Sequence, residues 1–233
     1  MDRYISSAAR DEFLNSLLEI ESVLKKIAPP KRNDPDLVNY IHGAAILFLS
    51  AKLENYISDL FQGIAQEICR NNIPDKDVPN SLLGWIFLRD GNEIAAKRYI
   101  SNGDEGEYVL TVGGYLNDKI FATTDTYVTE EKFRNLSDKS YPSVKNLRRM
   151  YKRIGINSIF GRLNNRMKRD AAAELESLNS SRGALAHSGI SNTHAYSDVK
   201  RLITSIKKLV SALDKETFYH LRNENCQSAW KHS

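Results

Sequence analysis

The sequence predicts a mainly α protein, an up-and-down helical bundle with an irregular or β-hairpin-containing insertion around residues 101–130. Three observations carry that expectation. Apolar residues recur at three- and four-residue steps over most of the 233-residue chain. The runs are bounded by Pro29-Pro30, Asp34-Pro35 and Asn71-Asn72-Ile73-Pro74. Strand-like patterning is confined to one stretch near the middle.

The elements follow in order. From Asp11 to Ile27 the residues Phe13, Leu14, Leu17, Leu18, Ile20, Val23, Leu24 and Ile27 form an amphipathic stripe that ends at the two prolines. Asp34-Pro35-Asp36 then offers a capping carboxylate beside a proline suited to a first turn. The helix it opens runs to about Arg70, some 50 Å at about 1.5 Å per residue. Its centre, Ala44 to Leu49 and then Leu53, Tyr56, Ile57, Leu60, Phe61 and Ile64, is apolar on more than one face, which calls for burial between other helices. A weaker helical stretch covers Ser81 to about Ile100. Glu107 to Val112 is β-prone, Gly113-Gly114 suits a turn, and Lys119 to Thr123 suits a returning strand. Helical character resumes from Ser143 to Ile154, from about Ser158 to Leu185, and from about Tyr196 to Asn225. In the last of these Val199, Leu202, Ile203, Ile206, Leu209, Val210 and Leu213 make a strong stripe. The chain reads as one domain over 1–233, with core helices at about 10–70 and 158–225 and an insertion at about 73–157.

Composition narrows the function classes. Hydrophobic residues at 41% supply a core, and charged residues at 27% with 12 Gly and 6 Pro exclude collagen-like, mucin-like and broadly disordered chains. The longest apolar stretch, Gly43 to Ala51, is far short of the roughly 20 residues needed to span a bilayer. The polar N-terminus carries neither a secretory pattern nor a lipidation motif, so a cytoplasmic location and no membrane partner are expected. Cys69 and Cys226 lie far apart and read as reduced thiols. Phosphate-binding, dinucleotide, zinc-protease and serine-hydrolase motifs are all missing from the sequence. The five histidines lack metal-ligand spacing, so neither a metal nor a cofactor is expected.

Charge is distributed unevenly. The net charge is only +4, yet the window from Lys139 to Asp170 carries +9 and the remainder −5. Its cations are Lys139, Lys145, Arg148, Arg149, Lys152, Arg153, Arg162, Arg166, Lys168 and Arg169, against the single acid Asp170. A solvated helix face accounts for part of such a pattern. The concentration of one sign points further, to contact with an RNA backbone through all of these cations after Lys139. Arg162, Arg166, Lys168 and Arg169 are expected on the same helix as Arg182, where they would guide a strand toward it. Tyr141 and Tyr151 suit either base stacking or core packing.

The candidate site is Asn179-Ser180-Ser181-Arg182-Gly183-Ala184-Leu185-Ala186-His187-Ser188-Gly189. Arginine and histidine flank small, apolar residues at a helix end. Five helical steps set their side chains about 140° apart. They converge if the helix loosens at Gly183 or if the groups that complete the site come from another chain. On spacing alone the simpler reading is a histidine on the helix C-terminal dipole and an arginine paired to an acid. Glu54 sits at helical neighbour positions to Leu47, Ser50, Ala51, Ile57, Ser58 and Phe61. There it either reaches solvent or needs a partner, for which Arg182 is the candidate. His194, seven residues after His187, suits a turn or cap, or a contribution to the site.

Arg182 with His187 at the end of the penultimate helix of a bundle resembles the signature of the HEPN superfamily. The run His42-Gly43-Ala44-Ala45-Ile46-Leu47-Phe48-Leu49-Ser50-Ala51-Lys52-Leu53-Glu54-Asn55-Tyr56 is similar to the early helix of RiboL-PSP and MAE-type HEPN domains, where an apolar run precedes Ser-Ala-x-x-Glu-x-Tyr/Phe. The resemblance covers about 36–70 and 158–215. It implies a metal-independent endoribonuclease acting as a homodimer with a composite site, in which His187 handles the ribose 2′-hydroxyl proton and Arg182 holds the scissile phosphate, with Glu54 orienting Arg182 or tuning His187. It also implies a growth-inhibiting or antiphage role, with an antitoxin or defence-system partner. The chemistry suits those residue types: an imidazole exchanges protons near neutral pH, and a guanidinium stays charged and grips phosphate oxygens bidentately. Two positions depart from the family pattern. Gly183 follows the arginine where many members carry Asn or Asp. Gly189 stands where toxins neutralised by a nucleotidyltransferase carry a tyrosine, so the resemblance does not extend to control by modification there. A catalytically silent RNA- or nucleotide-binding module and a helical scaffold in a defence complex are the competing readings.

Overall fold

The computed structural model describes residues 3–27, 34–90, 109, 111–114, 133, 136–137, 141–188 and 194–232. Seven helices form the frame among them: α1 (Ala8–Ile27), α2 (Pro35–Arg70), α3 (Asn80–Asp90), α4 (Val144–Arg153), α5 (Ile159–Met167), α6 (Ala171–Ser188) and α7 (Tyr196–Asn223). Short 3-10 turns at Asp75–Asp77 and Gln227–Ala229 complete it. The protein is mainly α, with no strand among the described residues and an isolated bridge between Ser7 and His232. None of the described helices is long and apolar enough to cross a membrane.

The starts of the helices follow local chemistry. Asp34 accepts the backbone N–H of Asp36 at 2.9 Å ahead of Pro35, and Ser143 accepts that of Asn146 at 3.1 Å ahead of α4. α2, 36 residues long, is the axis, packing against α1, α6 and α7. Its residues Ile46, Leu49, Leu53, Tyr56, Phe61 and Ile64 are buried, and the core continues through Leu17, Leu147, Tyr151, Leu175, Leu178, Ile206 and Leu213. The helix is buried between its neighbours as its apolar faces require, while Leu37, Tyr40, Ala44, Leu47 and Ala51 remain exposed along one stripe.

Two expectations are corrected. The single helix expected over about 158–185 is two helices. Lys168 adopts φ 55° and ψ 35°, ending α5, and the Asp170 carboxylate takes the N–H groups of Ala172 and Ala173 at 3.0 and 3.1 Å to start α6. Asn164 Oδ1 accepts the Ala171 N–H at 2.8 Å, bracing the corner. Arg162, Arg166, Lys168 and Arg169 therefore lie on α5 and this corner, not on the helix that carries Arg182. The second correction concerns the insertion. Val109 and residues 111–114 are helical, not strand and turn. A Cβ on Gly84 would fall 1.9 Å from the Val109 carbonyl oxygen, and one on Gly113 would fall 1.5 Å from that of Asn80. Close backbone approach, which only glycine permits, overrides local β-propensity here. The returning strand expected at Lys119 to Thr123 lies outside the described residues.

Candidate functional site

α6 remains a regular helix through Gly183 to Ser188. The helix does not loosen there, so within one chain Arg182 and His187 point about 140° apart with a rise of about 7.5 Å between them. His187 is exposed in the last turn, where a cation complements the helix dipole. Arg182 is half-buried, and its guanidinium carbon lies 4.6 Å from the centroid of the Tyr141 ring. Partial burial pushes the Tyr141 phenol up from its ordinary range, opposed by the arginine's charge and hydrogen bonding. A Cβ on Gly183 would meet nothing within 4 Å, so the position beside Arg182 is open space.

Glu54 does not bind Arg182. It is half-exposed, and no ion pair joins the two among the described residues. The reason is that its neighbours Leu47 and Ala51 belong to the uncovered stripe of α2, so the carboxylate keeps its water.

α2 and α6 meet closely beside the motif. A Cβ on Gly43 would lie 3.2 Å from a methyl carbon of Leu185. The neighbouring His42 is buried, and its Nδ1–H donates to the His194 carbonyl at 2.6 Å. That bond ties the chain entering α7 to α2. It requires a proton on Nδ1, and the His42 Nε2 is buried without a hydrogen-bond partner among the described residues. His194 thus contributes a backbone anchor.

The basic residues separate by environment. Lys145, Arg148, Arg162 and Lys168 are exposed, while Arg149 and Lys152 are half-exposed. Arg148 lies with its guanidinium 5.5 Å from the Phe160 ring centroid. Arg153 leaves the set: it is buried, donates to the Leu136 carbonyl at 3.1 Å and stacks over Trp85. It stands at the edge of the α4 cationic face, close enough to the apolar face to be drawn into the core. Arg166 donates to Glu216 at 2.5 Å, and Arg169 reaches Glu174 at 3.5 Å, so both carry local counter-ions. Tyr151 is fully buried against Phe61, which leaves it no face for a base, whereas Tyr141 is half-buried.

Both cysteines are free thiols, and burial pushes the Cys226 thiol up to about 12, well away from nucleophilic use. Sequence reasoning missed the Tyr141–Arg182 stack and the His42–His194 bond. The one signal for the first was that Asn179 and Arg182, three residues apart, share a helix face.

A family model described as RiboL-PSP-HEPN matches residues 11–217. No curated protein and no solved structure matches the chain.

Proposed function

The chain belongs to the RiboL-PSP-HEPN family, and on that premise we propose that it is a metal-independent endoribonuclease whose site is completed by a second copy of itself. The observation that carries this reading is that α6 stays helical from Ala171 to Ser188, through Gly183. On a regular helix the two side chains leave about 140° apart, which favours a site completed by a second motif. The exposed stripe of α2 supports the same assembly. Leu37, Tyr40, Ala44, Leu47 and Ala51 follow each other at steps of three and four, the spacing of a helix-to-helix seam, and Gly43 places that helix against Leu185 beside the motif.

In the composite site His187 takes the proton of a ribose 2′-hydroxyl. The 2′-oxygen then forms a bond to phosphorus as the bond to the 5′-oxygen breaks and that oxygen takes up a proton, returned by the His187 imidazolium or supplied by water, giving a 2′,3′-cyclic phosphate and a 5′-hydroxyl end. Arg182 neutralises the phosphate oxygens on which negative charge accumulates. The mechanism requires the 2′-hydroxyl, so DNA is not a substrate. Lys145, Arg148, Arg162 and Lys168 are the exposed cations available to an RNA backbone. A growth-inhibiting or antiphage role, with an antitoxin or defence-system partner, completes the proposal from family membership alone.

A second reading, an RNA-binding module without cleavage, draws on Gly183, which replaces the polar residue many family members carry beside the arginine. Labelled RNA incubated in excess EDTA decides between them. Cleavage to cyclic-phosphate ends, abolished in Arg182→Ala and His187→Ala, establishes the nuclease. RNA bound with steep salt dependence but left intact establishes the module.

A further inference from the structure

Asn179 and Arg182, one turn apart on α6, both reach the short segment that leads into α4. Asn179 Nδ2 donates to the Pro142 carbonyl at 3.0 Å, and the Arg182 guanidinium carbon lies over the Tyr141 ring, 4.6 Å from its centroid. The segment is also fixed from its own side. Asn146 Nδ2 donates to the Tyr141 carbonyl at 2.9 Å, and the Ser143 hydroxyl caps the first turn of α4. The Tyr141 ring is therefore a braced shelf under the arginine, at the junction between the motif helix and the helix that presents Lys145 and Arg148.

A ring contact uses the face of a guanidinium, and beyond the hydrogen bonding between Arg182 and the Tyr141 hydroxyl it leaves the other N–H groups, which radiate in the plane, free to bond. Those edges are what meet phosphate oxygens in a bidentate grip. An arginine without such a shelf must surrender its rotamer freedom when the phosphate arrives. We infer that Tyr141 is the positioning residue for Arg182, its ring presetting the guanidinium plane so that the N–H edge faces the RNA phosphate. The inference rests on the reading that Arg182 meets RNA. It assigns the larger part of the effect to the aromatic face, with the hydroxyl's hydrogen bonding to Arg182 a smaller part and bulk none.

The test compares Tyr141→Phe with Tyr141→Leu, each alone and combined with Arg182→Lys. Single-turnover cleavage is measured in excess EDTA. Binding of a labelled single-stranded RNA oligonucleotide is measured by anisotropy in an added His187→Ala background. Tyr141→Phe should keep both activities within about twofold. Tyr141→Leu, with matched thermal stability, should lose about three- to tenfold in binding and at least as much in the cleavage rate at saturating RNA. Lysine has no plane to preset, so the Phe and Leu variants should become equal in the Arg182→Lys background. Equal behaviour of Phe and Leu with Arg182 intact overturns the inference, as does a Leu defect that persists unchanged with lysine at 182. If the wild-type protein binds RNA without cutting it, the nuclease reading alone fails and the binding arm still decides the role of Tyr141. RNA that is neither bound nor cut overturns both.

Discussion

Replacing Gly183 with alanine tests the unbroken helical course of α6 from which the proposed composite site is argued. Among the described residues only Gly155 is a glycine with positive φ, so Gly183 has no need of glycine's backbone freedom. A Cβ there meets nothing within 4 Å, so the methyl group neither clashes nor requires a neighbour to move. The substitution should therefore deliver the full difference in helix propensity, about 0.5–1 kcal/mol of added stability. For a protein of this size that corresponds to a rise in melting temperature of about 1–4 °C. Urea and thermal unfolding followed by circular dichroism measure it, with Gly183→Pro as the opposing control at a loss of about 3 kcal/mol or more. RNA cleavage by the alanine variant should stay within a few-fold of wild type, because neither Arg182 nor His187 moves. A destabilised alanine variant would refute the reasoning: it would mean that the helix opens at Gly183 in solution and that one chain can fold its own arginine and histidine together.

Other perturbations address the remaining parts of the account. Leu47→Glu, on the exposed α2 stripe and away from the buried core, should leave the fold intact but give monomers by sedimentation and remove cleavage; a dimeric, active variant would displace the interface from that stripe. His220 is buried, with Nε2–H donating to the Ile154 carbonyl at 2.5 Å; burial lowers its pKa despite that bond and Glu224, and Arg162 lowers it further. Unfolded chains therefore bind the proton more readily, so stability should be full above about pH 6.5 and fall as pH drops from there through the lowered folded value. His220→Gln should flatten that part of the profile in melts taken between pH 7 and 5, and an unchanged slope would assign it elsewhere. Gly113→Ala forces the backbone of residues 111–114 away from α3 and should cost more than about 2 kcal/mol, read by urea unfolding; a neutral result would contradict the close approach.

Much of the frame was legible because periodicity and caps agree. Asp34-Pro35 and Ser143 mark the starts of α2 and α4 by side chains that satisfy free N–H groups, and the α7 stripe from Val199 to Leu213 is buried as its spacing requires. The corner between α5 and α6 was hidden because apolar spacing runs through it, from Leu163 to Ala171 and Leu175, with no proline or glycine to interrupt. Only a left-handed Lys168 and a capping Asp170 make the break, and both residue types are ordinary inside helices. The motif itself was visible as Arg182 and His187, but its surroundings were not. Tyr141 is 41 residues from Arg182 in the chain, and for Glu54 solvent and Arg182 stayed equally open because a sequence cannot say which side of α2 is left uncovered.

Mixing inactive subunits tests the central claim most directly. Arg182→Ala and His187→Ala proteins, each unable to cut RNA, are combined under conditions where subunits exchange. Random reassortment makes about half of the dimers mixed, each with one intact guanidinium and one intact imidazole facing the shared groove. The account predicts that cleavage reappears in the mixture at a fraction of the wild-type rate. A mixture that stays silent after exchange is verified, beside a wild-type protein that cuts, would contradict a site shared between two copies.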